Sequence, residues 1–146
     1  MPEAAVTITG TVLAFDFGTR RIGIAVGESL VRHARALTQI AGEQSEARFA
    51  AIAGLIEEWQ PQHLVVGLPL TAVGEEQELT RRAQRFARQL QGRFGLPVSL
   101  VDERYTSVAA EAGLRAAGVR KASRGKQIDA AAAQLILQQW FDEARR

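Results

Sequence analysis

Acidic residues are the side chains of this sequence whose types and positions are best suited to catalysis. Only four of the 146 residues are aspartates, and three of them stand at the ends of predicted elements. Asp16 ends one apolar run, Asp102 and Glu103 end another, and Asp129 opens a late helical segment. Because strands are depleted in aspartate and a bare buried charge is costly, Asp16 must be solvated, paired or bound to a cation.

If the topology brings these acids together, their mutual repulsion requires a cation or shared protons. Hard divalent ions such as Mg²⁺ or Mn²⁺ prefer oxygen ligands. Two such ions about 4 Å apart would hold a phosphodiester and activate a water for in-line attack. The acids therefore predict a metal-dependent phosphodiester hydrolase with Asp16, the pair Asp102-Glu103 and Asp129 as candidate ligands.

Each acid also has a purely structural interpretation. Asp16 would cap the turn that follows it, because aspartate favours such turns. Asp102 and Glu103 would form a polar turn with an internal ion pair to Arg104. Asp129 would interact with the dipole of its own helix or pair with Lys126, three residues earlier. Residue type alone leaves these alternatives open.

The basic residues indicate an anionic partner. Arg accounts for 16 of the 18 basic residues, although the net charge is only +2. Arg20 and Arg21 follow Asp16 closely and are well placed to contact a nucleic-acid backbone, since arginine binds phosphate bidentately. A basic loop over 118–125 runs into the last helix and reads as a phosphate-binding flap, although a solvated surface loop has the same charge pattern. The candidate nucleic-acid contacts are Arg20, Arg21, Arg104, Arg120, Lys121, Arg124 and Lys126.

Hydrophobic periodicity predicts the elements that must position these residues. Two strands flank the turn after Asp16, and alternation places Asp16 on the face of Val12 and Ala14, opposite Leu13 and Phe15. The further elements are a strand at 34–40, a helix at 46–59, a strand at 64–68, a helix at 76–93, a strand at 98–101, and helices from 106 or 107 to 117 and from 126 to 143. This order predicts an α/β fold, a mixed five-stranded sheet of three antiparallel strands followed by parallel strands, with helices on both faces. Functional sites in such sheets gather at the carboxyl ends of the strands.

Composition excludes several classes of protein. The chain is 47% hydrophobic and 23% charged, which is typical of a globular domain, and its lack of cysteine excludes disulfides and Cys-ligated metal sites. No apolar run approaches the roughly 18 residues that span a bilayer, and no secretion signal is recognisable. We therefore expect a cytoplasmic protein without membrane contact, with a flexible leader at 1–10 and a single domain at 11–146.

Four motifs together resemble the YqgF/RuvX family of pre-16S rRNA nucleases, also described as Holliday junction resolvases. They are Asp-Phe-Gly-Thr-Arg-Arg-Ile-Gly-Ile-Ala at 16–25, Gly-Leu-Pro-Leu at 67–70 with Gly74, Asp-Glu-Arg-Tyr-Thr-Ser at 102–107, and Lys-Gln-Ile-Asp-Ala-Ala-Ala at 126–132. The resemblance implies an RNase H-like fold and a Mg²⁺- or Mn²⁺-dependent nuclease acting on rRNA precursor. It also implies an active site of Asp16, one acid of the pair at 102–103, and Asp129. Alternation lets only one of that pair face Asp16, and we expect Glu103 with Asp102 as second choice.

Three other functions remain open from the sequence. A Holliday junction resolvase would act on branched DNA as a symmetric dimer. The sequence shows no obvious dimer stripe and leaves the oligomeric state, monomer or homodimer, open. A sugar-kinase-like or actin-like phosphate loop would need a second domain that 146 residues do not hold. A non-catalytic ribosome-assembly factor would bind RNA through the basic loop and the arginines.

Overall fold

The computed structural model describes residues 10–69, 77–102 and 121–144, and of residues 121–129 and 144 it describes the backbone. Of the expected leader at 1–10, only Gly10 is described. The predicted helix starting at 106 or 107 lies outside the described residues, as do Glu103, Arg104 and Arg120.

The described residues form eight elements, which confirm the predicted order within them. They are strands β1 (Thr11–Phe17), β2 (Arg21–Glu28) and β3 (His33–Ala41), helix α1 (Ser45–Trp59), strand β4 (His63–Leu68), helix α2 (Glu78–Phe94), strand β5 (Val98–Asp102) and helix α3 (Lys121–Ala144). No helix in these ranges is long and apolar enough to cross a membrane.

The sheet has the order β3-β2-β1-β4-β5. β1 and β3 each pair with β2 in antiparallel orientation, whereas β4 lies parallel to β1 and β5 lies parallel to β4. The mixed five-stranded sheet predicted from the sequence is therefore confirmed. Because β1, β4 and β5 run in the same direction, their carboxyl ends meet at one edge of the sheet.

The two faces of the sheet bury different residues. Leu13 and Phe15 belong to the core under α1 and α2, and Val12 and Ala14 belong to the core under α3. Phe86 of α2 is central to the first core, since its ring lies 5.8 Å from that of Phe15 and 5.8 Å from that of Phe49, centroid to centroid. Helices thus cover both faces, and the alternation predicted for β1 is confirmed.

The start of the last helix corrects one prediction. A loop was expected up to residue 125, but α3 is already helical from Lys121. Lysine, alanine and arginine are good helix formers, and the single Gly125 costs only about 1 kcal/mol in a helix, which a helix of this length tolerates. Lys121, Arg124 and Lys126 therefore stand on a helix and not on a flap.

Candidate active site

Asp16 lies next to last in β1, at the carboxyl edge of the sheet, and is partly buried. Its paired residue on β2 is Gly23. On β4, the position one step beyond the last paired residues, Phe15 and Val66, is Gly67. Glycine on both sides removes the side chains that would otherwise crowd the carboxylate. Asp16 thus lies on the face that α3 covers, and neither of these two neighbouring strand positions places a side chain beside it.

The turn after Asp16 is held by Arg48, an α1 residue that is only 6% exposed. Its Nη2 donates to the Gly18 carbonyl at 2.5 Å, and its Nε donates to the Gly42 carbonyl at 2.8 Å. The Gly42 amide in turn donates to the Arg20 carbonyl at 2.9 Å. Gly18 itself tolerates no side chain, because a Cβ there would lie 2.5 Å from the Arg21 carbonyl oxygen. The backbone that presents Arg20 and Arg21 is therefore fixed at both ends, while both side chains are exposed.

Asp102 ends β5 at the same edge of the sheet as Asp16, but on the opposite face. Val101 packs in the core under α3, so alternation turns Asp102 toward the face of α1 and α2. Two strand spacings separate β1 from β5, which puts the Cα atoms of Asp16 and Asp102 about 10 Å apart. The structure brings the two acids to one edge but not to one face, which argues against Asp102 as a partner of Asp16.

The remaining predicted site residues are described only as backbone, or lie outside the described residues. Asp129 belongs to α3, in the turn before the buried residues Ala132 and Ala133. Lys121, Arg124 and Lys126 precede it on the same helix. Among the side chains that the structure describes, no three His, Asp or Glu residues form a group that could hold a metal ion.

Three arginines on the opposite face from Asp16 were missed by the sequence analysis. Arg48, Arg82 and Arg85 line one cleft of about 150 Å³, together with Glu43, Ser45 and Gln89, over a floor of core phenylalanines. The cleft reaches Phe17, the residue that follows Asp16. Arg48 could have been found, since it stands four residues before the buried Ile52 on the apolar stripe of α1.

His63 has a structural role that the sequence did not reveal. It is 8% exposed, shares a hydrogen bond of 2.7 Å with the Ser99 hydroxyl, and stacks on Trp140 at 4.9 Å between ring centroids. Burial lowers the pKa of His63 below its ordinary value. His63 joins β4, β5 and α3 near the amino-terminal ends of the parallel strands, whereas Asp16 lies near their carboxyl ends.

Comparisons with known proteins agree with this architecture. The family model described as "RuvX: Holliday junction resolvase" matches residues 10–143. A Burkholderia lata protein named "Putative pre-16S rRNA nuclease" is 54% identical over 133 residues, covering 91% of this chain and 89% of the relative. A Methylobacillus flagellatus protein of the same name is 52% identical over 142 residues, covering 97% of each chain.

Solved structures of low sequence identity share the fold. Thermus thermophilus RuvC in complex with a Holliday junction substrate aligns with a TM-score of 0.58 at 17% identity, covering 92% of this chain and 96% of the other. The Fowlpox virus resolvase bound to Holliday junction DNA aligns with a TM-score of 0.56 at 6% identity, covering 93% and 99%. The fold is RNase H-like, as the resemblance implied. On the family match and the identity to its relatives, this chain belongs to the RuvX (YqgF) family.

Proposed function

We propose that this protein is a divalent-metal-dependent nuclease that hydrolyses phosphodiester bonds in the precursor of 16S rRNA. The observation that carries the proposal is the placement of Asp16: a partly buried carboxylate at the carboxyl edge of the sheet, between two glycine positions, in a chain of the RuvX family. The names of the relatives supply the substrate. Such a nuclease would work in the cytoplasm, where rRNA precursors are processed.

Glu103 is the proposed second ligand. The residues of β5 that face α3 are Ser99 and Val101, as the contact of Ser99 with His63 and the burial of Val101 indicate. If the same alternation continued for one more residue, position 103 would share the face of Asp16. This favours Glu103 over Asp102.

Asp129 is the proposed third ligand. Position 129 precedes Ala133 by four residues and Ile136 by seven, which is the spacing of one helical stripe, and both of those residues are buried against the sheet. Phe141, near the other end of the helix, packs beside Gly27, close to the start of β1. Twelve residues of helix rise about 18 Å, which exceeds the roughly 13 Å between the start of β1 and Asp16, so α3 is long enough to reach the end of the sheet where Asp16 lies.

A set of carboxylates at one edge fits Mg²⁺ or Mn²⁺, because both ions prefer oxygen ligands. When bound, such an ion supplies Lewis-acid activation of the phosphoryl group and of the attacking water. The protein's own contribution is positional. Arg20 and Arg21 would bind the substrate backbone beside Asp16, and Arg48 keeps their turn in place through its bond to the Gly18 carbonyl.

Resolution of Holliday junctions is the second candidate, because the matching family model carries that description. A resolvase must cut two opposed strands and therefore acts as a symmetric dimer. Cleavage of a four-way junction and the oligomeric state in solution separate this candidate from rRNA processing.

The test offers three end-labelled substrates with Mn²⁺ or Mg²⁺: a 16S precursor 5′ fragment, an unrelated single-stranded RNA and a four-way DNA junction. We expect cleavage of the precursor fragment, and loss of that cleavage in Glu103→Gln and Asp129→Asn. Symmetric cutting of the junction with intact RNA would assign the protein to DNA recombination. Unchanged cleavage by both variants would contradict the proposed ligand set.

A further inference from the structure

The cleft between α1 and α2 concentrates positive charge. Three arginines, Arg48, Arg82 and Arg85, line it against a single acid, Glu43. Arg82 and Arg85 are exposed, whereas Arg48 is only 6% exposed. One buried and two exposed guanidinium groups therefore line a single cleft that is open to solvent.

The exposed arginines of the cleft form no close ion pair with any residue in the part of the chain that the structure describes. On the same helix, Arg81 pairs with Glu78 at 3.6 Å and Arg93 pairs with Glu46 at 3.9 Å, whereas Arg82 and Arg85 form no ion pair with a described residue. Burial and the neighbouring charge of Arg82 lower the pKa of Arg48, and Glu43 only partly opposes them. The cleft thus carries an excess of positive charge that an anion would relieve.

The shape and polar groups of the cleft suit a phosphate group. Its volume of about 150 Å³ exceeds what a single phosphate needs and admits part of the attached sugar. Arginine offers a planar fork of donors that matches phosphate oxygens. Ser45 and Gln89 add neutral hydrogen-bonding groups to the lining.

The cleft adjoins the proposed active site across the edge of the sheet. Phe17 lines the cleft, and Asp16 precedes it in the chain with its side chain on the other face. Adjacent Cα atoms are only about 3.8 Å apart. A nucleic-acid strand that crosses this edge would therefore pass both features.

We propose that Arg82 and Arg85, with the buried Arg48 behind them, bind a backbone phosphate of the nucleic-acid substrate outside the cleaved linkage. This inference rests on the proposed function for the identity of the ligand. Its test measures RNA binding in the absence of metal. A protein that does not cleave RNA can therefore be distinguished from a cleft that does not bind it.

The experiment compares two double variants with the wild type by fluorescence anisotropy of a labelled single-stranded RNA in EDTA. Arg82→Ala/Arg85→Ala, the cleft variant, removes the two exposed arginine side chains that line the cleft. Arg81→Ala/Arg88→Ala is the matched control, because it removes the same charge from the same helix at exposed positions outside the cleft. Alanine is the best helix former, so both variants keep α2 intact.

Affinity is measured against salt concentration. One phosphate contact contributes a slope of about 0.7 to the log–log plot for single strands, which corresponds to roughly fivefold in affinity at 0.1 M salt. We expect the salt-dependence slope of the cleft variant to be smaller by about 0.7 and its RNA affinity to be lower by roughly fivefold. The control variant should keep most of the wild-type slope and affinity. Equal losses in the two variants would reduce the effect to net charge and overturn the proposal.

A second arm distinguishes a backbone phosphate from a free phosphomonoester. Thermal stability is measured with added adenosine monophosphate and with inorganic phosphate. Stabilisation of the wild type but not of the cleft variant, combined with unaltered RNA binding by that variant, would overturn the assignment to the nucleic-acid backbone. RNA binding in EDTA that is weakened more in the cleft variant than in the control supports it, whether or not the RNA is later cut.

Discussion

Replacing Arg48 with methionine should destabilise the protein by about 2–4 kcal/mol. Hydrogen bonds from a charged donor contribute about 1.5–3 kcal/mol each to stability, and the cost of burying the charge offsets part of that contribution. The two bonds at stake are those from Arg48 to the Gly18 and Gly42 carbonyls, at 2.5 and 2.8 Å. The cost arises because burial and the neighbouring charge of Arg82 disfavour the charged form of the Arg48 guanidinium and lower its pKa. Methionine retains much of the apolar volume over the Phe17 ring, which lies 5.4 Å from the guanidinium carbon.

Urea denaturation and the Tm measure this loss, which for a chain of this size should lower the Tm by roughly 6–12 °C. The Gly42 amide, which donates to the Arg20 carbonyl, should exchange with solvent faster in Arg48→Met. Arg88→Met is the matched control on an exposed site of α2, with an expected change within about 0.5 kcal/mol. If Arg48→Met changed the stability by no more than this control does, the conclusion that Arg48 holds the turn after Asp16 would be refuted.

Three further predictions concern the packing of the fold. Gly27→Ala should cost about 1–3 kcal/mol by overpacking, because its Cβ would lie 2.7 Å from Phe141 Cε2; equilibrium denaturation measures the cost, and wild-type stability would show that α3 docks differently. Gly92→Ala should stabilise by up to about 1 kcal/mol, because nothing lies within 4 Å of a Cβ there; a lower urea midpoint would contradict this. Wild-type stability should fall relative to His63→Gln as pH drops below the ordinary value of 6.5, because the unfolded chain takes up a proton that the buried ring resists; parallel pH profiles would exclude a buried neutral imidazole.

The sequence predicted the strands and helices well wherever apolar periodicity was uninterrupted. β1 and β2 were expected on either side of the turn after Asp16, and alternation assigned Asp16 to the correct face because the pleat leaves no other choice. The start of α3 was misjudged, since charge density at 120–126 suggested a loop although most of those residues favour helix. Local charge pattern is a weaker guide to backbone conformation than helix propensity.

The arginine cleft could not be predicted, because it depends on which helices share a face of the sheet. Arg82 and Arg85 lie more than thirty residues from Arg48 in the sequence. They meet only because α1 and α2 pack on the same side, a relation fixed by the sheet order and by the aromatic contacts of Phe86. Sequence spacing within one helix carries no information about such a neighbour.

The most direct test of the central claim is the metal-dependent cleavage of a 16S precursor 5′ fragment by Asp16→Asn. Asp142→Asn is the matched control, since Asp142 is an exposed aspartate near the far end of α3. We predict that Asp16→Asn folds and melts like the wild type but cleaves no faster than background, while Asp142→Asn cleaves normally. Full cleavage by a folded Asp16→Asn protein would contradict an active site centred on Asp16.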